Sequence, residues 1–541
     1  MSSSLNKKQP IWYGVLILSS GALLAALDGK GTWLAGWLGY SSLILLSALA
    51  FLAVWKQVKG NRKIGSLALT AYLLRAGLGI VFMLSLPALG YQDNLASQAG
   101  YLYRDAFVRD QQAWELAASG GSLLQAFSGV YSGDQYGGFL AFSAFIYRYL
   151  GFGVHRPWLV ILITSAVSGL GVLWLWRAAL DWLSNDENST DYPREKLSPR
   201  FFIPIAAAWI YVIYPEAVFL GSAHMREPIV LAFIAFNFFS LTQMQKEPRK
   251  GWLGFIISAL ILFLFQLPVG VAVTFVSVGF ILLEYRTQLH WKTWVIIAGI
   301  LLTGTLLLIG NWMSLPSLGS AQPLTIFNEW LQHNFGFQSY LAERQSGMIQ
   351  KLILGAGKQA MLPIILVYGF AQPVLPATIV DPAVWFWKIF NIVRSLGWYA
   401  LAFLLIYNSV VTFTRKTYPK QAVRTWFTLA VLAWILISAA NAGGDMWDNP
   451  RYRTMFLVYQ ALLAAWAIWW AQINKDKWFW RWLTVEGVFV LAFLEWYISR
   501  FYPALPHLSI WIMIALTLLA CGVILVGGWV WDHIKKDNRA L

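Results

Sequence analysis

The chain has 541 residues, of which 58% are hydrophobic and only 12% are charged. That is too little charge to cover a soluble protein of this length, so a soluble multidomain enzyme is excluded. The net charge is +15, but no basic stretch is long enough to form a nucleic-acid groove. The excess lies in short loops, as it does on the cytoplasmic side of membrane proteins, and no nucleic-acid partner is expected.

Apolar runs recur from end to end, each close to the ~20 residues that cross about 30 Å of hydrocarbon as helix. In chain order they fall near 11–28, 32–55, 64–90, 157–176, 201–220, 228–245, 252–267, 269–285, 293–313, 395–413, 425–441, 454–473, 482–499 and 508–531. A transmembrane barrel would need short alternating segments instead. The expected fold class is therefore an all-α polytopic membrane protein with about 14 transmembrane helices. The first run has the basic start of a signal peptide but a weak cleavage site before Asp28, so it reads as a retained span. Lys7 and Lys8 place the N-terminus inside, and basic clusters recur at the expected inner loops, such as Lys56–Lys63 and Lys246–Lys250. Both termini then face the cytoplasm. Two apolar stretches, 137–150 and 360–372, are too short to span and read as re-entrant or interfacial helices. Many of the 31 tryptophans sit at run ends, as interfacial anchors do, and the single Cys521 allows no internal disulfide.

The polar residues gather outside. Two long outer loops are expected, 91–156 and 314–394, with two dense outer turns, Ser222–Pro228 and Gly443–Arg453. Long ordered loops on a helical bundle usually carry function, so any chemistry belongs at the outer face. In the first loop, 105–118 reads as a helix ending at Gly120-Gly121. Asp105 and Arg109 share a face of it. Asp110 is five residues from Asp105, about 140° around the helix, so the two acids form no close pair and a single base fits better than an acid/base dyad. Arg75 lies mid-span, with Glu216 as a candidate partner. The six histidines show no metal-ligand spacing.

An acid just after an outward-going span, then Asp105-Ala-Phe and an Ala/Leu-containing helix ending in Gly, resembles the first outer loop of the GT-C glycosyltransferases. That superfamily includes the protein O-mannosyltransferases and the aminoarabinose transferases. Asp134-Gln-Tyr136 followed by an apolar stretch to Gly151, and Tyr214-Pro215-Glu216 followed by Ser222–Glu227, resemble later segments of the same superfamily. The resemblance covers roughly 64–285 and rests on order and spacing. It implies a GT-C-like catalytic module over 64–313, preceded by two additional helices in 1–63 and followed by the outer loop 314–394 and C-terminal helices in 395–541. It also implies transfer of a sugar from a polyprenyl-phosphate donor to a glycan, lipid or protein acceptor at the outer face of the plasma membrane. Carried over to this chain, Asp105 is the catalytic base, with Asp110 second.

Such a reaction needs cations against the phosphate leaving group. Arg226, Arg451 and Arg453 are the candidates, because arginine bonds phosphate bidentately. Glu227, Asp445 and Asp448 can bind sugar hydroxyls, and His224 can assist either group. No cofactor is expected, and nothing in the residue pattern indicates a divalent cation. The rival readings are a transporter or flippase of a lipid-linked glycan, which would place its ionisable groups near the midplane, and a cell-surface glycan polymerase or ligase.

Overall fold

The computed structural model describes residues 9–128, 130–131, 133–184, 198–285, a few positions in 295–302, then 347–357, 360–415, 420–500, 502 and 504–540. The described residues are helical, with no strand among them. The chain divides into two compact units, Met1–Trp182 with Ala208–Asn311 and Leu183–Ala207 with Trp312–Leu541.

In the first unit, α1 (Gln9–Asp28) and α2 (Trp33–Gln57) form a hairpin, followed by α3 (Arg62–Leu89). The first loop holds α4 (Leu95–Gln98), α5 (Arg104–Ala118), a 3-10 turn (Leu123–Phe127) and α6 (Gly138–Leu150). Then come α7 (Pro157–Ser184), α8 (Pro199–Ile213), whose residues up to Ala207 are assigned to the second unit, α9 (Pro215–Gly221), α10 (Glu227–Gln243) and α11 (Pro248–Glu284). The expected helix over 105–118 is α5 within one residue, and Gly120 takes φ +68° just past its end. The short stretch 137–150 is the 13-residue α6.

The expected span 201–220 is broken. α8 and α9 meet at a 55° bend. Pro215 has no N–H to give the Tyr211 carbonyl four residues back. Arg75, buried in α3, donates Nη2 to that carbonyl at 3.0 Å and Nη1 to the Val212 carbonyl at 3.2 Å. The sequence offered Glu216 as its partner; the bend's free carbonyls take its donors instead.

α11 is a single 37-residue element with a non-helical residue at Gln266 just before Pro268. Its side chains show that it folds back on itself. Ser258 Oγ lies 3.0 Å from Asn237 Nδ2, and Ser277 Oγ donates to Asn237 Oδ1 at 2.8 Å. Nineteen residues of straight helix would separate the two serines by roughly 28 Å, so one asparagine can reach both only across a hairpin. The two arms match the separate expected spans 252–267 and 269–285.

The second unit holds α12 (Gly347–Ala356), α13 (Met361–Ala371), α14 (Leu375–Val380), α15 (Trp385–Thr414) and α16 (Gln421–Ala442). It continues through α17 (Asp448–Thr454), α18 (Leu457–Asn474), α19 (Lys477–Ile498) and α20 (Ile510–Ala540). α17 and α18 form a second bent pair, at 73°. α13, in the short stretch 360–372, has only 11 residues. The outer loop ends earlier than expected. α15 begins at Trp385 rather than 395, because helix continues through Lys388, Asn391 and Arg394, where the apolar run is interrupted. The expected span 293–313 lies outside the described residues apart from a few positions.

Among the described residues, seven helices are long and apolar enough to cross a membrane, or up to nine if each bent pair is one span. Their exposed faces carry large apolar side chains, Leu518 and Val523 among them. The chain is a helical membrane protein. Asp181 gathers Arg177 at 2.8 Å, Lys246 at 2.7 Å and Gln243 at 2.8 Å, and Arg177 also bonds the Val58 carbonyl, all at expected inner ends. At the expected outer ends, Arg156 pairs with Asp28 at 2.5 Å, both buried, which ties α1 into the unit.

Candidate functional site

The segment between α3 and α7 closes around one carboxylate. Asp110 is fully buried on α5. Its oxygens accept hydrogen bonds from the hydroxyls of Tyr101, just before α5, and Tyr147 on α6. His155 Nε2, before α7, lies 2.7 Å from Oδ2, and His224 Nε2, in the turn after α9, lies 3.0 Å from Oδ1. His155 is held from the side by stacking on Trp114, with ring centres 5.4 Å apart. The His224 ring is buried, and neither of its nitrogens has an aligned hydrogen-bond partner. It lines a small cleft with Phe82, Met83, Tyr101 and Ser222. Two glycines let these segments meet. A Cβ on Gly79 would come within 2.7 Å of the Ser222 carbonyl, and Gly137 holds φ +71° at the start of α6.

Burial alone would raise the pKa of Asp110. The neighbouring histidines and the bonds from His155 and Tyr101 outweigh it and hold the carboxyl at about 2. Burial pushes His224 down to about 4 against the pull of Asp110, so its ring is neutral at pH 7. Burial, then Asp110, drives the Tyr101 hydroxyl well above its ordinary value. At neutral pH the cluster is thus one carboxylate beside the neutral His224 ring and the protonated hydroxyls of Tyr101 and Tyr147.

A second cluster adjoins it. Asp134 accepts from the Phe139 and Leu140 amides at 3.0 and 3.1 Å, capping the start of α6. Its other oxygen takes Arg226 Nη1 at 2.8 Å. The Arg226 guanidinium also lies 4.8 Å from the Tyr136 ring centre, and its Nε is buried without a hydrogen-bond partner. Arg109 bonds the Gly133 carbonyl and approaches Met225 Sδ at 3.6 Å, while Gln112 accepts from the Gly133 amide. Arg109 and Gln112 thereby fasten the 133–137 segment to α5. Glu227, the first residue of α10, is fully buried.

The sequence candidates of this unit divide accordingly. Asp110, His224 and Arg226 come together with Arg109 between them. Asp105 sits in the first turn of the same helix with its side chain exposed. The 140° offset between the two acids appears as one outside and one inside. Sequence reasoning missed Tyr101, Tyr147, His155, Arg156 and Asp28, and gave Asp134 no role of its own.

In the second unit the turn 443–453 is self-bonded. Asp445 Oδ1 accepts from the Trp447 and Asp448 amides at 2.7 and 3.1 Å, at the start of α17. Arg451 pairs with Asp448 at 3.3 Å, one turn apart. Arg453 is buried, donating to the Phe370 and Gln372 carbonyls at 3.2 and 2.8 Å, with its guanidinium 3.2 Å from the Trp398 ring centre. Its donors fasten the end of α13, where helix carbonyls lack partners. Among the described residues no group of three or more His, Cys, Asp or Glu has the arrangement of a metal site. No family model, curated protein or solved structure matches the chain.

Proposed function

We propose that the chain is a membrane glycosyltransferase with about 14 spans. In this reading it transfers a sugar from a polyprenyl-phosphate donor to an acceptor hydroxyl or amine at the outer face of the plasma membrane, with both termini cytoplasmic. The observation that carries the reading is the division of labour on α5. Asp110 is saturated by four neighbours and held at about 2, which makes it a poor proton acceptor at neutral pH. Its role is to hold the loop against α6, α7 and the 222–227 turn. Asp105, exposed one and a half turns earlier, is left as the base. It takes the acceptor's proton as the acceptor attacks the anomeric carbon and the sugar–phosphate bond breaks.

Arg226 is the proposed phosphate contact. Asp134 fixes one end of its guanidinium, and its buried Nε lacks a partner, as suits a donor kept for an anionic ligand. His224 and Glu227 line the same end of the unit. Arg451 remains a proposal for the phosphate and Asp445 and Asp448 for sugar hydroxyls, whereas Arg453 is better read as a structural clamp. No metal or other cofactor enters the proposal.

The test is release of polyprenyl phosphate by the full chain in liposomes supplied with polyprenyl-phosphate monosaccharides and membrane extract as acceptor source. The reading expects release that requires the protein and falls sharply in Arg226→Gln. Export of intact lipid-linked sugar without release of the lipid phosphate would replace it with the flippase reading.

A further inference from the structure

The second unit contains a groove that the proposed chemistry does not use. It lies between α12–α13 and α19–α20 and has a volume of about 450 Å³. Its walls are apolar almost throughout, with Ile364, Val367, Phe493, Trp511, Ile514 and Leu518 among the side chains that line it. Its floor is a buried cluster of Ile365, Trp496, Ile510 and Met513. The groove is not sealed. Val367 is 70% exposed and Leu518 67%, so its rim merges with the outward-facing apolar surface of α20. In a membrane protein that surface meets hydrocarbon.

One end of the floor carries polar groups. Trp496 donates Nε1–H to the Leu508 carbonyl, which fastens the chain just before α20 to the end of α19. The Arg500 guanidinium lies 3.7 Å from the Trp496 ring centre. His507 stacks on the same ring at 5.8 Å, and its Nδ1 lies 2.9 Å from Ser499 Oγ. Arg500 is exposed where α19 ends and α20 begins, and the ends of membrane helices are where basic side chains meet lipid headgroups. From Ile510 to Leu518 the groove follows α20 for about 12 Å at 1.5 Å per residue. An apolar channel of that length, open sideways to the bilayer and with a cation at its headgroup end, matches an amphiphile with an anionic head.

We propose that this groove seats an acyl chain of an anionic glycerophospholipid, with its phosphate at Arg500. The groove opens along the hydrocarbon, so the occupant enters from the bilayer. The glycerophospholipid is the amphiphile present there in greatest excess, and mass action favours it over a scarce carrier lipid. Arg500 supplies the preference for an anionic head.

The experiment reconstitutes the full chain in liposomes of phosphatidylcholine and phosphatidylglycerol, one of which carries a photoactivatable diazirine in its acyl chain. Crosslinked residues are then mapped by mass spectrometry. With the phosphatidylglycerol probe, Phe493 and Ile514 should be labelled several-fold more than Val523, a lipid-facing residue of α20 outside the groove. The double variant Ala360→Trp/Ile514→Trp fills the groove and should abolish the excess at Phe493 while leaving Val523 labelling intact, which also shows that α20 is still in place. Arg500→Gln should lower phosphatidylglycerol labelling of Phe493 and leave phosphatidylcholine labelling unchanged. Labelling at Phe493 no higher than at Val523 would overturn the proposal. So would displacement of the phosphatidylglycerol probe by an equimolar polyprenyl phosphate but not by unlabelled phosphatidylglycerol, which would assign the groove to the carrier.

Discussion

Asp110 shows how much a single buried carboxylate organises. Four side chains from four other segments of the first unit converge on it. Replacing it by Asn keeps its shape but turns one acceptor into a donor that faces other donors. A hydrogen bond to a charged group is worth about 1.5–3 kcal/mol, and Asn cannot accept all those that Asp110 accepts, so Asp110→Asn should lower the unfolding midpoint clearly in a thermal melt. The pH dependence has a defined sign. The folded-state pKa of Asp110 is depressed to about 2, so its contribution is present above the ordinary aspartate value near 4 and is lost as pH falls toward 2. His224 is also depressed, to about 4. It must stay neutral in the fold while the unfolded chain protonates near 6.5, so stability is lost as pH falls from about 6.5 to 4. Thermal melts across pH 7 to 4 should therefore fall less steeply for His224→Gln than for the parent; equal slopes would show that His224 is not the buried neutral group described. The offset of Asp105 from Asp110 was legible in the sequence, because helix periodicity alone sets it. The cage was not. Its hydrogen-bond partners lie 9, 37 and 45 residues away, and no local pattern marks a tyrosine or histidine as a carboxylate donor.

At the scale of elements, apolar length located the long described helices but not the short α4, α12, α14 and α17, and two features changed how the spans count. Proline broke one expected span into α8 and α9, and Arg75 is buried in the membrane region to satisfy the carbonyls freed there. Hydropathy registers the cost of that arginine but not the bend that uses it. The α11 hairpin was legible from Pro268 and the polar Gln266 between two apolar runs, and Asn237 holds its arms together. Hydrogen bonds between membrane helices are worth roughly 0.6–1.7 kcal/mol each. Asn237→Leu removes two and should cost about 1–3 kcal/mol, read as a lower midpoint in a denaturant titration in detergent micelles. An unchanged midpoint would mean that packing alone holds the hairpin. The extension of α15 back to Trp385 was hidden because charged residues mark where apolar character stops, not where helix stops.

For the whole molecule the prediction concerns sidedness. In a Cys521→Ser background, Ser128→Cys in the first long loop and Asp381→Cys in the second should be labelled together by a membrane-impermeant maleimide in intact cells, and Gln57→Cys should be labelled only after permeabilisation. Opposite behaviour of the two loop positions would reverse the topology of one unit. The membrane class was legible from composition, which alone excludes a soluble fold. The chemistry was less so, because it rests on a pattern of order and spacing and on side chains that meet only after folding. The most direct measurement is therefore turnover of Asp105→Asn beside the parent, with polyprenyl-phosphate sugar as donor and a thermal melt of each protein. The account predicts turnover about 10²–10⁴-fold lower at an unchanged melting temperature, with Asp110→Asn distinguished by its lowered melting temperature. Near-normal transfer by Asp105→Asn would contradict it.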